Sequence, residues 1–328
     1  MEYILDAADD YLFDKAYSAL LPASRFVPSL LQSANHTVAS VPTSPWVSQL
    51  LSYFPHPPLT SSTAAELASA SIWPRDYILR QTLSLSIMTM VGIHLMYLTV
   101  AAASYYFIFN REMENHPRFL DGQVGKEIRC SLKAFPALTA MTVPWFVGEV
   151  RGHGRYYDRI DDYGWGYALA SIPMFLLFTD YCIYWVHRLE HHPSIYKHLH
   201  KLHHKWIIPT PFASHAFHPV DGYLQSLPYH IFPMIFPLHK KLFLILFSFV
   251  NLWSILIHDS DMITGHPLEK IINGPAHHTL HHLYFTVNYG QYFTWADRTH
   301  LSYRQPDASL DPMLQVKMQQ KKEYKKSQ

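Results

Sequence analysis

Three short histidine motifs in this 328-residue chain have the spacing of metal ligands. They read HRLEHH from position 187, HKLHH from 200 and HTLHH from 278, and 17 of the 23 histidines fall between positions 187 and 282. Because residues i, i+3 and i+4 share one face of a helix, each motif can direct two or three imidazoles toward one point. Neutral imidazole is the commonest metal ligand in proteins, so the motifs predict a metal centre.

The number and type of ligands narrow the choice of metal. A structural zinc site is closed by four ligands, whereas the three motifs together hold nine imidazoles, enough for two ions with open positions. The HExxH motif of zinc hydrolases and the paired ExxH motifs of carboxylate di-iron proteins are both absent from the sequence. With only Cys130 and Cys182, a cysteine-ligated zinc or iron–sulfur site is excluded. We therefore predict two iron ions that activate dioxygen, with zinc as a possible substitute in purified protein.

The elements around these motifs are apolar. Hydrophobic residues make up 49% of the chain and charged residues only 16%, which excludes a disordered chain or a coiled coil. A net charge of +1 gives no field that would attract nucleic acid. Blocks at 81–110, 134–148 and 164–186 predict membrane spans, the third broken only by Asp180. Two further blocks within 223–257 predict a membrane hairpin, irregular in its proline-containing first half.

The predicted fold is therefore all-α. It is an integral membrane protein with about four spans, the last a hairpin, and a cytosolic helical domain that holds the two metal ions. The expected divisions are a variable lumenal segment (1–80), transmembrane helices (81–186), a histidine-box catalytic domain with its membrane hairpin (187–306) and a cytosolic tail (307–328).

Charge and short signals predict the orientation. Five basic residues within 111–133 favour the cytosol, which places the first 80 residues in the lumen. The tripeptide at Asn35 is a glycosylation sequon, usable only in a lumen. The Lys325–Lys326 pair fits the dilysine pattern for retrieval to the endoplasmic reticulum. We therefore predict a multi-pass protein of that membrane, with the active site and the tail cytosolic.

The three motifs, in this order and with an apolar hairpin between the second and third, resemble the fatty acid hydroxylase/sterol desaturase superfamily. The stretches 210–222, 257–259 and 288–291 resemble its sterol C5-desaturase branch, in the fungal form. One departure lies after the third motif, where the family has a glycine turn and this chain reads Thr299-His300-Leu301. Substrate preference is expected to differ from the family norm at that turn.

The resemblance implies a set of site residues. The implied iron ligands are His187, His192, His200, His203, His204, His278, His281 and His282. His191 is either a ligand or a partner of one, and His258 could complete the site. Three further residues are expected just behind the ligands, namely His215, His218 and Asp259.

The resemblance also implies the reaction and its partners. The reaction is introduction of the 5,6 double bond into a Δ7 sterol, with dioxygen and with electrons from cytochrome b5 and its NADH-dependent reductase. No nicotinamide-binding or flavin-binding motif is found, so the electrons are expected from such a partner. The alternatives from the residues alone are a membrane hydroxylase of a C4-methyl sterol, a fatty acid or a specialised polycyclic lipid. A metal transporter is disfavoured, because the clustered histidines follow the spans instead of lying inside them.

Overall fold

The computed structural model describes residues 1–23 and 70–328. Within this part the regular secondary structure is almost wholly helical, as predicted from the sequence. The α-helices are α1 (Glu2–Ala8), α2 (Asp14–Leu20), α3 (Ile78–Phe107), α4 (Gln123–Val150), α5 (Gly164–Glu190), α6 (Pro193–Tyr196), α7 (Pro219–Ile235), α8 (Lys240–Ile257), α9 (Pro275–Tyr284), α10 (Trp295–Thr299) and α11 (Met313–Lys326). Strands β1 (Tyr156–Tyr157) and β2 (Leu238–His239) pair in parallel. The sequon at Asn35 lies outside the described residues.

Three of the described helices are long and apolar enough to cross a membrane. They are α3 with 30 residues, α5 with 27 and α8 with 18. At 1.5 Å per residue, even α8 nearly matches a hydrocarbon core of about 30 Å. The predicted second block, 134–148, lies within α4, whose first half carries charges such as Lys126 and Glu127.

The segment predicted as a membrane hairpin lies in α7 and α8, which are joined through β2, and of these two helices only α8 is a candidate span. Its first half is more regular than expected, because α7 continues through Pro228 and Pro233. A proline inside a helix removes one backbone hydrogen bond without necessarily ending the helix. The proline content therefore overstated the irregularity of this segment.

The described residues form two compact units. The smaller unit comprises residues 1–89 and 143–151, and in it the first twenty residues are helical, with a π-helical turn between α1 and α2. Arg80 is buried and donates to Asp9 at 2.5 Å and to Asp14, while the Tyr17 hydroxyl lies 3.1 Å from Ser84 Oγ. These contacts fix α1 and α2 against the beginning of α3. The composition of the first 80 residues did not predict this packing.

The larger unit comprises residues 90–142 and 152–328 and contains all three histidine motifs. Its core holds aromatic and aliphatic residues of α3, α4 and the segment around Phe212. The Tyr97 hydroxyl donates to the Phe212 carbonyl at 2.9 Å, and Gln123 Nε2 donates to the Ile208 carbonyl at 2.7 Å. These bonds tie the loop after the second motif to α3 and α4.

Candidate metal centre

Nine imidazoles converge into two separate groups. Site A contains five of them and site B four, and in each group the candidate ligand atoms all lie within 4.8 Å of one another. Site A is formed by His187, His191, His200, His204 and His281. Site B is formed by His203, His258, His278 and His282.

In site A the Nε2 atoms face a common point. His204 Nε2 lies 3.0 Å from His191 Nε2, 3.1 Å from His200 Nε2 and 3.0 Å from His281 Nε2. His187 Nε2 lies 3.1 Å from His200 Nε2. Ring nitrogens gathered this closely have too few protons to satisfy one another, and a cation at their centre would use all their lone pairs.

Site B has the same character with one ligand fewer. His278 Nε2 lies 2.9 Å from His258 Nε2 and 3.1 Å from His282 Nε2, and His258 Nε2 lies 3.3 Å from His203 Nε2. All four rings are buried. His258 caps the end of α8, so the segment between the second and third motifs supplies a residue that none of the three motifs contains.

The local backbone explains how each motif reaches its site. His187 and His191 are one turn apart at the end of α5, and the His278–His282 motif lies in α9. The His200–His204 motif was expected to be an α-helix. It is instead a series of turns that ends in a 3-10 turn at His203–Lys205. The expectation that each motif serves one point is also wrong, because adjacent residues in the second and third motifs point to different sites.

The other ring nitrogen of most ligands is fixed by a hydrogen bond. His187 Nδ1 lies 3.0 Å from the Tyr289 carbonyl, His281 Nδ1 2.7 Å from the Val287 carbonyl, and His282 Nδ1 3.0 Å from the Trp206 carbonyl. His258 Nδ1 lies 2.6 Å from the Ser254 carbonyl. Since a carbonyl can only accept, the proton is on Nδ1 and the lone pair of Nε2 faces the site, the tautomer that metal ligation requires.

Burial favours the neutral form of seven of these imidazoles. It lowers the pKa of His258 to about 4. Burial and the neighbouring imidazoles together hold the pKa well below its usual value for six further ligands, namely His191, His203, His204, His278, His281 and His282. Neutral, oriented nitrogen donors in these numbers fit transition-metal ions, and the absence of a carboxylate from either set argues against a hard cation such as Mg²⁺.

One predicted ligand is corrected by the structure. His192 is exposed and belongs to neither site, and its Nδ1 lies 2.7 Å from Ser194 Oγ. The reason is that α5 ends at Glu190, so the backbone at His192 is extended and its ring turns toward solvent. His191 takes its place in site A.

The residues predicted behind the ligands have varied surroundings. His215 is buried, with Nδ1 3.0 Å from Ser214 Oγ, and burial lowers its pKa to about 4. His218 caps α7 by accepting from Val220 N at 3.3 Å. Asp259 is buried and accepts from Asp261 N at 3.0 Å, and burial raises its pKa to about 7. No described hydrogen bond joins His218 or Asp259 to a ligand ring.

A buried carboxylate pair behind His200 was not predicted. His200 Nδ1 donates to Asp221 Oδ2 at 2.8 Å, and Glu190 Oε2 lies 3.9 Å from the same nitrogen. Gln225 Nε2 donates to both, at 2.8 Å to Asp221 and at 3.0 Å to Glu190. Two features of the sequence could have indicated this pair. Glu190 lies inside the first motif, and Asp221 lies inside the 210–222 stretch.

Comparison with known proteins places this centre in a family. The family model described as fatty acid hydroxylase matches residues 172–302, which include all nine converging histidines. A Delta(7)-sterol 5(6)-desaturase of Gibberella zeae is 48% identical over 313 residues, covering 95% of this chain and 92% of the relative. The chain belongs to the Delta(7)-sterol 5(6)-desaturase family.

Two further relatives of the same description support this. One from Aspergillus fumigatus is 44% identical over 333 residues, covering 95% of this chain and 92% of the relative. One from Schizosaccharomyces pombe is 53% identical over 233 residues, covering 71% of this chain and 77% of the relative. No solved structure matches the chain. The desaturase is thus a membrane-associated oxidoreductase of sterol biosynthesis, as the sequence predicted.

Two aspartates of this desaturase hold the loop that supports site A. Asp180 Oδ1, the only formal charge in the apolar block of α5, accepts from Gln291 N, Tyr292 N and Phe293 N at 2.7–3.2 Å. Asp297 accepts from Tyr289 N at 2.9 Å and Gly290 N at 2.8 Å. A Cβ at Gly290 would lie 2.5 Å from the Phe293 carbonyl oxygen, so only glycine fits there. The carboxylates thereby fix the Tyr289 carbonyl that orients His187.

The departure from the family pattern is visible in the backbone. Leu301 stands at the turn where a glycine was expected, and it has a φ of 61° with 95% of its surface exposed. A leucine in the left-handed region is strained by about 1–2 kcal/mol, which glycine would avoid. The backbone at Leu301 thus has the conformation that glycine adopts most readily, although the residue is leucine.

Proposed function

We propose that this chain introduces the 5,6 double bond into a Δ7 sterol, with one iron ion held by site A and one by site B. The observation that carries the proposal is the convergence of nine buried or half-buried imidazoles on two points, in a chain whose relatives are described as Delta(7)-sterol 5(6)-desaturases. In the overall reaction the sterol loses two hydrogen atoms. Dioxygen, two electrons and two protons complete the balance and give two molecules of water.

The donor set of site A supports iron over zinc. Zinc in proteins is usually tetrahedral, and site A offers five imidazoles, one more than that geometry uses. Iron accepts imidazole and leaves positions open for dioxygen chemistry, which supplies the oxidant that an unactivated C–H bond needs. Zinc in purified protein would then be a replacement during expression.

The protein contributes geometry and a dry environment. The rings of Tyr196, Phe285 and Tyr289 pack around site A, and their centroids lie 4.9–6.0 Å from the ring of His204 or His191. Burial excludes water that would protonate or release the ligands. A sterol offers a single hydroxyl for recognition, so its orientation would depend mainly on shape, and displacement by about 1 Å could cost on the order of a hundredfold in rate.

Electrons are proposed to come from cytochrome b5 and its NADH-dependent reductase. Three exposed lysines, Lys197, Lys201 and Lys205, lie around the second motif and would attract an acidic carrier. Replacing all three by Gln should raise the KM for cytochrome b5 about tenfold and make this KM depend less on salt concentration. Turnover with an excess of the carrier should be retained. Lys240→Gln/Lys241→Gln, remote in sequence from the motifs, is the control. An unchanged KM would place the carrier on another surface.

The membrane arrangement is proposed from the sequence. The histidine-box domain (187–306) and the tail (307–328) would face the cytosol of the endoplasmic reticulum, residues 81–186 would supply spans, and residues 1–80 would be lumenal with a glycan on Asn35. Protease treatment of sealed microsomes should remove a tag after residue 328 and spare one before residue 1. The reverse pattern would contradict this orientation.

The activity test uses a yeast strain without its own C5-desaturase. Microsomes carrying this chain receive a Δ7 sterol, NADH and air, and the 5,7-diene is followed by its conjugated ultraviolet absorption. His204→Ala should abolish the diene, whereas His192→Ala, which changes an exposed histidine outside both sites, should not. A hydroxylated sterol without diene would favour the hydroxylase alternative, to which the fatty acid hydroxylase family model also points.

A further inference from the structure

The last described helix, α11, has an unusual combination of anchoring and exposure. Met313 and Val316 in its first turns are buried in the core that also contains Tyr105, Phe109 and Met113. Residues 320–328 are all exposed. The helix is therefore fixed at one end while its second half has no protein surface to cover it within the described part of the chain.

The anchored end of α11 lies beside the end of a membrane-spanning helix. It packs against the turn Arg111–Asn115, which directly follows α3. The residues at this end of α3 expose large apolar side chains, with Phe107 88% and Tyr106 68% exposed. Exposed aromatic side chains at the end of a span are typical of the boundary between hydrocarbon and headgroups. The helix thus begins at the level of the membrane surface.

The exposed part of α11 is basic, with an apolar beginning. It carries five lysines and one glutamate, and within the described part of the chain no carboxylate forms an ion pair with these lysines. Leu314, Met318, Lys321 and Lys325 follow the spacing i, i+4, i+7 and i+11, so they form a single stripe along the helix. Met318 is 58% exposed. Long lysine side chains beside such residues can reach phosphates while their methylene groups stay on apolar surface.

We infer that α11 binds the anionic headgroups of the bilayer that holds the protein, along the stripe of Leu314, Met318, Lys321 and Lys325. The stripe has the residue types of an interfacial helix, and its anchored end already lies at the membrane surface. Each lysine near an anionic surface adds attraction that falls with salt. This surface is independent of the metal sites and of the proposed reaction.

The test uses the full chain in nanodiscs of phosphatidylcholine, with or without phosphatidylserine, and measures amide hydrogen exchange of residues 317–326. Exchange should be slower in the anionic discs and return to the neutral-disc rate at high salt. Lys321→Gln/Lys325→Gln should reduce the protection by about tenfold. Lys322→Gln/Lys326→Gln removes the same charge outside the stripe and should have a clearly smaller effect.

Three outcomes would overturn the inference. They are equal exchange in the two lipids, equal effects of the two double variants, and protection that arises only when an acidic electron-carrier protein is added. If α11 frays so much that its amides show no measurable protection, a second measurement is used. An environment-sensitive fluorophore is attached to Met318→Cys in a Cys130→Ser/Cys182→Ser background. Its emission should shift to the blue in anionic discs, and an unchanged emission would count against insertion of the stripe.

Discussion

Sites A and B use the same side chain, but different groups stand behind it. In site A, His200 donates to the Asp221 carboxylate, with Glu190 beside it. In site B, His258 and His282 donate only to backbone carbonyls. A carboxylate behind an imidazole raises its basicity and brings negative charge toward the metal. Site A, with five imidazoles and this carboxylate, should therefore hold its ion more tightly and stabilise a higher charge on it than site B.

The largest expected effect is the loss of a ligand. His204→Ala removes a member of site A and His282→Ala a member of site B, and each should lower turnover by more than about a hundredfold, beyond what loss of a supporting residue costs. Iron per chain, measured by mass spectrometry of the purified protein, should fall by about one ion in each variant. His192→Ala should keep both ions. If either variant loses both ions, the two sites bind as one unit and the comparison between them fails.

The next effect concerns the carboxylate that distinguishes the sites. Asp221→Asn should weaken metal binding at site A by about 10–100-fold, because the imidazole of His200 loses its charged partner. Titration with a competing chelator would resolve the two affinities. Asp259→Asn is the matched control, since that buried carboxyl accepts a hydrogen bond from its own loop, at Asp261 N, and in the described part of the chain bonds no ligand ring. Equal weakening by both variants would mean that general burial of charge, and not the contact with His200, decides affinity.

The support of site A by α5 gives a smaller effect. Asp180→Ala leaves three backbone N–H groups without their acceptor and should lower the free energy of unfolding by about 2–3 kcal/mol. Asp180→Asn retains an acceptor oxygen and should lose less. Thermal unfolding of the detergent-solubilised protein measures both. Because the loop orients His187 through Tyr289, the Asp180 variants should lose metal from site A before site B. Simultaneous loss from both sites would argue against a specific effect of the loop on site A.

The smallest effect concerns the turn after Asp297. Leu301→Gly relieves the left-handed strain, offset partly by the greater flexibility of glycine in the unfolded chain, and should stabilise the protein by about 0.5–1 kcal/mol. Leu301→Ala keeps the strain and is the control. Both affinities should be unchanged. Products from several Δ7 sterols, compared between Leu301→Gly and the unchanged protein, would show whether the turn also affects substrate preference. The same product pattern from both proteins would exclude such an effect.

The histidines could be recognised from the sequence because their chemistry is rare and their spacing is local. His191 and His258 were named as candidates, but the division into two sites was not predictable, since it depends on side-chain directions set by the turns at 200–204 and by the end of α5. Asp221 was missed because a buried carboxylate looks like any other acid until its neighbour is known.

The apolar blocks predicted α3, α5 and α8 well, because a run without charges is visible in sequence. The packing of α1 and α2 on Arg80 depends on contacts some 70 residues apart along the chain, which no local pattern encodes.

Adjacent histidines that serve different sites impose an order on how the enzyme is made. His203 belongs to site B and His204 to site A, and the same holds for His282 and His281. Site A is complete only once residue 281 has been synthesised and site B only once residue 282 has, and site B also requires α8, which brings His258. On the proposed function, site B can therefore bind its ion only after α8, the last of the three described candidate spans, is in place, whereas site A needs no residue of that helix.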